Sequence, residues 1–230
     1  MAVYQNTMMP PGGTLTQSAS LSLSGNLFNQ LRSDILQGKL KPDEKLTEQR
    51  ICREYAVSRT PVREAFQKLE IEGLIKTIPN RGAFVVGITT RDIEDMYELR
   101  KAYEAVAVRW AVARITEAEF EALREAYEFM EFYTMKQDAE KMLAINMHFH
   151  ELIYEAAHNH MLLHVLTSYQ IYTKQTKTNH RYLDGHLEEV LAEHKQIFQA
   201  FVEKDPDAGA AAITRHLENA KQRANFPRES

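Results

Sequence analysis

A chain of 230 residues, 44% hydrophobic, has room for two small domains, and no apolar run reaches the roughly 18 residues that a membrane-spanning helix requires. Lys and Arg total 28 against 32 Asp and Glu, but the net charge of −4 is unevenly spread: residues 25–88 hold 11 basic against 8 acidic side chains, and residues 89–230 hold 17 against 24. Residues 1–24 carry no charge, which argues against a secretory leader, and a lone Cys52 excludes an intramolecular disulfide, so the expected compartment is the cytoplasm.

Near the start, "MPPGGTLTQSASLSLSG" has a composition that predicts a flexible polar arm over residues 1–23. From Leu27 to Leu36 the apolar residues Leu27, Phe28, Leu31, Ile35 and Leu36 fall near the helical period, and Gly38 closes the segment. Pro42-Asp43 marks a turn. Thr47 is a suitable N-cap for a short helix carrying Ile51 and Tyr55. Ala56-Val57 turns the chain again, and Ser58 is placed to cap a helix whose core stripe is Val62, Ala65, Phe66 and Leu69.

The opening turn of that last helix, Ser58-Arg59-Thr60-Pro61, is unusual for an apolar helix. The first N–H groups of a helix lack intrahelical partners, so proline is tolerated there and a phosphate is well accommodated. Arg59 and Arg63 stand one turn apart, away from the core stripe, and Thr60 adds a hydroxyl. This is what reading of a DNA major groove by a helix-turn-helix requires; the alternative is two solvated arginines paired with Glu64 or Glu70. "LIKTIPNRGAFVV" follows as strand, turn and strand, a wing with Arg81 and Gly82 at its tip, and arginine there suits a narrow minor groove.

From Thr89 onward glycine is scarce, and six helices are expected at about 90–114, 117–135, 138–157, 160–176, 185–203 and 206–224, an all-α unit. Polar residues interrupt its apolar stripes: Arg100 and Glu104 among Ile93, Tyr97, Ala107 and Ala111; Asn146 and His150 beside Leu143, Ile153 and Ala157; His194 among Leu187, Leu191, Phe198 and Phe201; His216 beside Gly209, Ile213 and Ala220. Three histidines from three helices then project into one interior, where buried polar groups need partners. A divalent metal ion satisfies three imidazoles together, and Asn146, one turn before His150, can reach the same ion. Structural histidines bonded within the core are the alternative, and the pair His160/His164 has metal-compatible spacing too.

Residues 25–88 resemble the winged helix-turn-helix of the GntR family of bacterial transcription regulators, through "LRSDILQGKLKPDEKLTE", "VSRTPVREAFQKLEIEGLI" and "NRGAFV". The resemblance implies that Arg59 and Arg63 contact an operator and that Gly82 is the wing glycine. Asp43 stands where the family usually has glycine, and Gln49 where some members have a DNA-contacting arginine. Residues 89–224 look like the FCD domain of the FadR subfamily, with "NMHFH" supplying Asn146 and His150 and "HKQIFQAFVEKDPDAGAAAITRH" supplying His194 and His216. Asn146 replaces the commoner aspartate. In that family the ion (zinc first, with nickel and manganese as alternatives) binds a small organic acid, helped by the arginine that matches Arg100, with Glu104 beside it.

These readings predict a mainly α protein: arm 1–23, winged helix-turn-helix 24–88, helical effector and dimerisation domain 89–225, tail 226–230. The expected function is a homodimeric DNA-binding regulator, a repressor as most such regulators are, that binds a palindromic operator on double-stranded DNA and is controlled by a carboxylate at the metal site, with no role for a membrane. The alternatives are a metal-free effector pocket, the metal itself as the signal and, remotely, a metalloenzyme with Glu104 as its base.

Overall fold

The structure, a computed structural model, describes residues 14–79, 81–175 and 185–224, with the side chains of 14–23, 174 and 175 left aside. The chain divides into two compact units after Gly87. The expected tail, 226–230, and residues 1–13 of the expected arm lie outside the described residues.

The first unit runs α1 (Thr14–Leu36), β1 (Lys45–Leu46), α2 (Glu48–Glu54), α3 (Arg59–Ile71), β2 (Ile75–Ile78) and β3 (Gly82–Val85). Here the expected flexible arm needs correction, since the backbone is helical from Thr14. No proline falls between Pro11 and Pro42, and Gly25, worth only about 1 kcal/mol against Ala, does not stop the helix. Leu31 and Ile35 of α1, Ile51 of α2 and Val62, Ala65 and Leu69 of α3 form the core of this unit. The sheet has the order β1-β3-β2, all antiparallel. Its hairpin was expected, but β1 was not. Lys45 pairs with Phe84 and Leu46 with Ala83. Asp43, in the glycine position, has φ +62°, a left-handed conformation that Asp tolerates better than most residues.

The second unit is all helical among the described residues: α4 (Thr90–Arg114), α5 (Glu117–Met135), α6 (Ala139–Ala156), α7 (His160–Gln175), α8 (Leu187–Glu203) and α9 (Pro206–Arg223). Four of these helix starts are fixed by side chains. Thr89 with Asp92 and Thr116 with Glu119 form reciprocal capping boxes, Asp138 caps α6, and Asp205 caps α9 ahead of Pro206. Helix α4 packs against α6, α7 and α9, so its polar stripe faces the interior. Gly209 allows a close approach of α9 to α4: a Cβ there would lie 2.7 Å from Val108 Cγ1. The buried face of α8 is turned slightly from the expected stripe. Val190 and Ile197 are fully buried, whereas Leu191 is half-buried and Phe198 stacks at the margin on Phe120 and Tyr127.

Candidate functional site

In the first unit the candidate surface is the start of α3 with the tip of the hairpin. Ser58, Arg59, Thr60 and Arg63 are exposed, as are Gln49 on α2 and Arg81 and Gly82 on the wing. Ser58 occupies the N-cap position with extended φ −76°, ψ 174°, yet its side chain makes no capping bond. The expectation of a side-chain cap is therefore corrected, and the cause is Pro61: it occupies the third helical position, where the N–H that a cap side chain would accept is missing. Gly82 has φ +98°, a conformation that a side chain would strain. Arg63 pairs with neither Glu64 nor Glu70. Its Nε donates to Glu48 Oε1 on α2 at 2.7 Å, and Glu70 instead accepts from the Thr77 N–H.

In the second unit, His150 of α6, His194 of α8 and His216 of α9 are buried together, each offering a ring nitrogen within 4.8 Å of the others. Their outer nitrogens are anchored. The Nδ1 of His194 lies 2.7 Å from the Val190 carbonyl, that of His150 lies 3.1 Å from Glu104 Oε2, and that of His216 lies 2.8 Å from Glu193 Oε2. A carbonyl can only accept, so Nδ1 of His194 carries the proton. Burial raises both carboxyls, but Arg100 and His150 outweigh it at Glu104, and His216 and Arg223 at Glu193, so each stays ionised and likewise accepts. Burial also holds His194 well below its usual range and His216 at about 4, which keeps both neutral.

A neutral ring whose Nδ1 donates carries its lone pair on Nε2. Nε2 of His194 lies 3.3 Å from Nε2 of His150, and with both rings neutral two acceptors face each other. A cation between them would satisfy both. Beside them, Asn146 Oδ1 is buried without a hydrogen-bond partner and lines the same cavity as His150 and His216. An orphaned carbonyl oxygen and three directed imidazole lone pairs fit a divalent ion of the zinc class, with the Nδ1 acceptors orienting the ligands.

Arg100 lines this cavity as well, with Gln170 and Thr173 of α7. Its Nε donates to Glu104 Oε1 at 2.8 Å, and Nη1 reaches Thr173 Oγ1 at 3.4 Å. Glu104, grouped with Arg100 in the sequence reading, is fully buried behind the cavity with both oxygens occupied, so it positions Arg100 and His150 and meets no guest itself. His160 and His164 are exposed. Sequence reasoning missed Glu48, Glu193 and the Val190 carbonyl. Val190 stands one turn before His194, a spacing that could have suggested it. Glu48 and Glu193 reach their partners across helices, which no local pattern signals.

Comparison with known proteins agrees with this architecture. A model of the bacterial regulatory proteins of the gntR family matches residues 23–85, and one of the FCD domain matches residues 95–219. The chain is similar to the HTH-type transcriptional repressor RspR of Escherichia coli (strain K12), 28% identical over 200 residues, covering 85% of this chain and 86% of that one. It is 30% identical over 217 residues to the Uxu operon transcriptional regulator of the same strain, covering 84% and 83%. Among solved structures, E. coli McbR/YncC shares the fold with a TM-score of 0.63 at 22% identity, covering 86% of this chain and 93% of that one. A GntR transcriptional regulator from Rhodococcus sp. RHA1 does so with a TM-score of 0.62 at 24% identity, covering 90% and 100%.

Proposed function

We propose that this chain, which belongs to the GntR family of bacterial regulatory proteins and is a DNA-binding transcription regulator rather than an enzyme, acts as a homodimeric repressor whose hold on DNA is set by a metal-anchored organic acid. The observation that carries the metal is the cluster of three Nε2 lone pairs beside the orphaned Asn146 oxygen. Asn146, His150, His194 and His216 would hold the ion. Bound there, a divalent ion supplies an electrophilic pole for a carboxylate oxygen. Arg100, held by Glu104, offers a guanidinium to the guest's anionic group, a pairing suited to carboxylates.

Recognition of DNA falls to the exposed start of α3. Arg59, Thr60 and Arg63 would enter the major groove, Ser58 and the first-turn N–H groups would meet the backbone, and Arg81 and Gly82 would approach from the wing. Gln49 is exposed on α2 and placed for a weaker backbone contact. The expected palindromic operator follows from a two-fold dimer.

Support for the dimer comes from α4. Leu99 is 47% and Tyr103 40% exposed, and with half-buried Val106 and Trp110 they form one stripe at helical spacing. A second copy running antiparallel would bury the stripe. The site of action would be the cytoplasm, where the chromosome lies. No helix among the described residues is long and apolar enough to cross a membrane. Repression is proposed by analogy with RspR, itself named a repressor.

The test is metal content by inductively coupled plasma mass spectrometry on tag-free protein, with His150→Ala in parallel. About one ion per chain, lost in the variant, is expected. A metal-free wild type after incubation with zinc, nickel and manganese would refute the metal-anchored effector while leaving the DNA-binding assignment standing.

A further inference from the structure

The candidate metal centre has an unusual charge balance. All four donors, three imidazoles and the Asn146 amide oxygen, are neutral. The two carboxylates that orient imidazoles are each matched by an arginine already: Arg100 Nε donates to Glu104 at 2.8 Å, and Arg223 donates through Nη2 to Glu193 Oε2 at 2.6 Å and through Nη1 to Oε1 at 2.7 Å. All four of these side chains are 14% exposed or less. A divalent ion therefore brings two positive charges into a buried site where the carboxylates already have their counter-charges. Burying a charge without a counter-charge is costly even after the protein relaxes.

We propose that this site takes its ion and an anion as a coupled pair, with Asn146 as the residue that makes the coupling strong. A carboxylate entering the cavity lined by Asn146, His150 and Arg100 cancels part of the ion's charge at the point where the protein supplies none. The anion then tightens the ion, and by linkage the ion tightens the anion by the same factor. An aspartate at position 146 would bring its own negative charge, hold the ion without help and weaken the dependence. This inference rests on the reading that Asn146 and the three histidines hold a metal. It makes the regulator responsive to the product of two supplies, metal and organic acid, rather than to either alone.

The experiment measures zinc affinity of the full chain by competition with a chromophoric chelator, with and without acetate, lactate or succinate, at an ionic strength held constant with perchlorate. At least one carboxylate should tighten zinc by about tenfold, within the usual range of coupling between sites. Asn146→Asp should bind zinc more tightly without any carboxylate and show a smaller gain on adding one. Arg223→Gln, which leaves Glu193 without its arginine partner, should also bind zinc more tightly without carboxylate and serves if the aspartate variant folds poorly. Zinc bound equally with and without every carboxylate, or Asn146→Asp no tighter than wild type, would overturn the coupling while leaving the metal site intact. A wild type that binds no zinc would remove both.

Discussion

Arg63, on the helix proposed to read DNA, is tied to Glu48 on the preceding helix, with its Nε 2.7 Å from the carboxylate oxygen. The arginine side chain is 62% exposed, so the pair adds little to stability. Its consequence is orientation: the guanidinium is aimed before DNA arrives. Arg63→Ala should weaken operator binding by about 1–3 kcal/mol if Arg63 reads a base. Glu48→Ala should act differently. It removes a negative charge from the DNA-facing surface, so binding to a scrambled duplex should strengthen while preference for the operator falls. Titrating both duplexes at two salt concentrations separates the effects, and an unchanged preference in Glu48→Ala would sink the orienting role.

Ala56, in the turn between α2 and α3, has φ +52°. A left-handed conformation costs a residue with a Cβ about 1–2 kcal/mol, whereas glycine loses about 0.5–1 kcal/mol through its more flexible unfolded state. Relief outweighs entropy. Ala56→Gly should raise the midpoint of thermal unfolding of the first unit, and Ala56→Val should lower it. Calorimetry of the full chain reads both, and a glycine variant less stable than wild type would show that the strain is absorbed elsewhere.

Gly209→Ala carries an opposed pair of effects. Alanine favours a helix by about 1 kcal/mol over glycine. Its Cβ, however, would sit 2.7 Å from Val108 Cγ1 and 3.2 Å from Ala200 Cβ. Val108 is 1% exposed and stiff at its branch, and Ala200 has no side chain to turn aside. Overpacking of about 1–3 kcal/mol should therefore win, and urea denaturation should show a lower midpoint. A midpoint equal to or above that of wild type would mean that α4 and α9 can part at little cost.

Glu119 closes the capping box of α5, accepting from the Thr116 N–H at 2.8 Å, and also contacts His158 at 2.8 Å. The Thr116 backbone bond foremost, then His158, holds its carboxyl at about 2, below the usual glutamate range. A lowered folded-state pKa means that the stabilisation is complete above the unfolded value near 4.3 and is lost as pH falls toward 2. Glu119→Gln keeps an oxygen that accepts the Thr116 N–H but loses the charge, so it should be less stable than wild type at neutral pH by an amount typical of a carboxylate at a helix N-terminus, about 0.3–1 kcal/mol. That gap should narrow between pH 4 and about 2. Melting curves of both proteins across this range test it, and a gap that does not change with pH would assign the effect to packing.

Much of this architecture was legible before any coordinates. The period of apolar residues marked out Thr90–Arg114 and Glu117–Met135, and the polar interruptions marked Asn146, His150, His194 and His216, because a buried polar residue breaks a helical stripe visibly. The strand Lys45–Leu46 was not legible, since two residues have no periodicity and their pairing with Ala83 and Phe84 is set by the fold. The start of α1 was missed for another reason: an uncharged Ser- and Leu-rich stretch has no strong propensity, so composition alone did not reveal the helix. Glu193 looked like any solvated acid beside a histidine. Only the packing of α8 on α9 shows that its partner is His216, a helix away.

His150 and His194 are 44 residues apart in sequence, yet their Nε2 atoms lie 3.3 Å from one another. An ion held between them would pin the two ends of a segment that contains all of α7, and adding His216 would tie α9 into the same knot. Closing a loop of that size removes conformational freedom from every partly opened state. Metal supply would thus govern how long the protein survives proteases, since each excursion that parts the helices carrying His150, His194 and His216 would first have to release the ion.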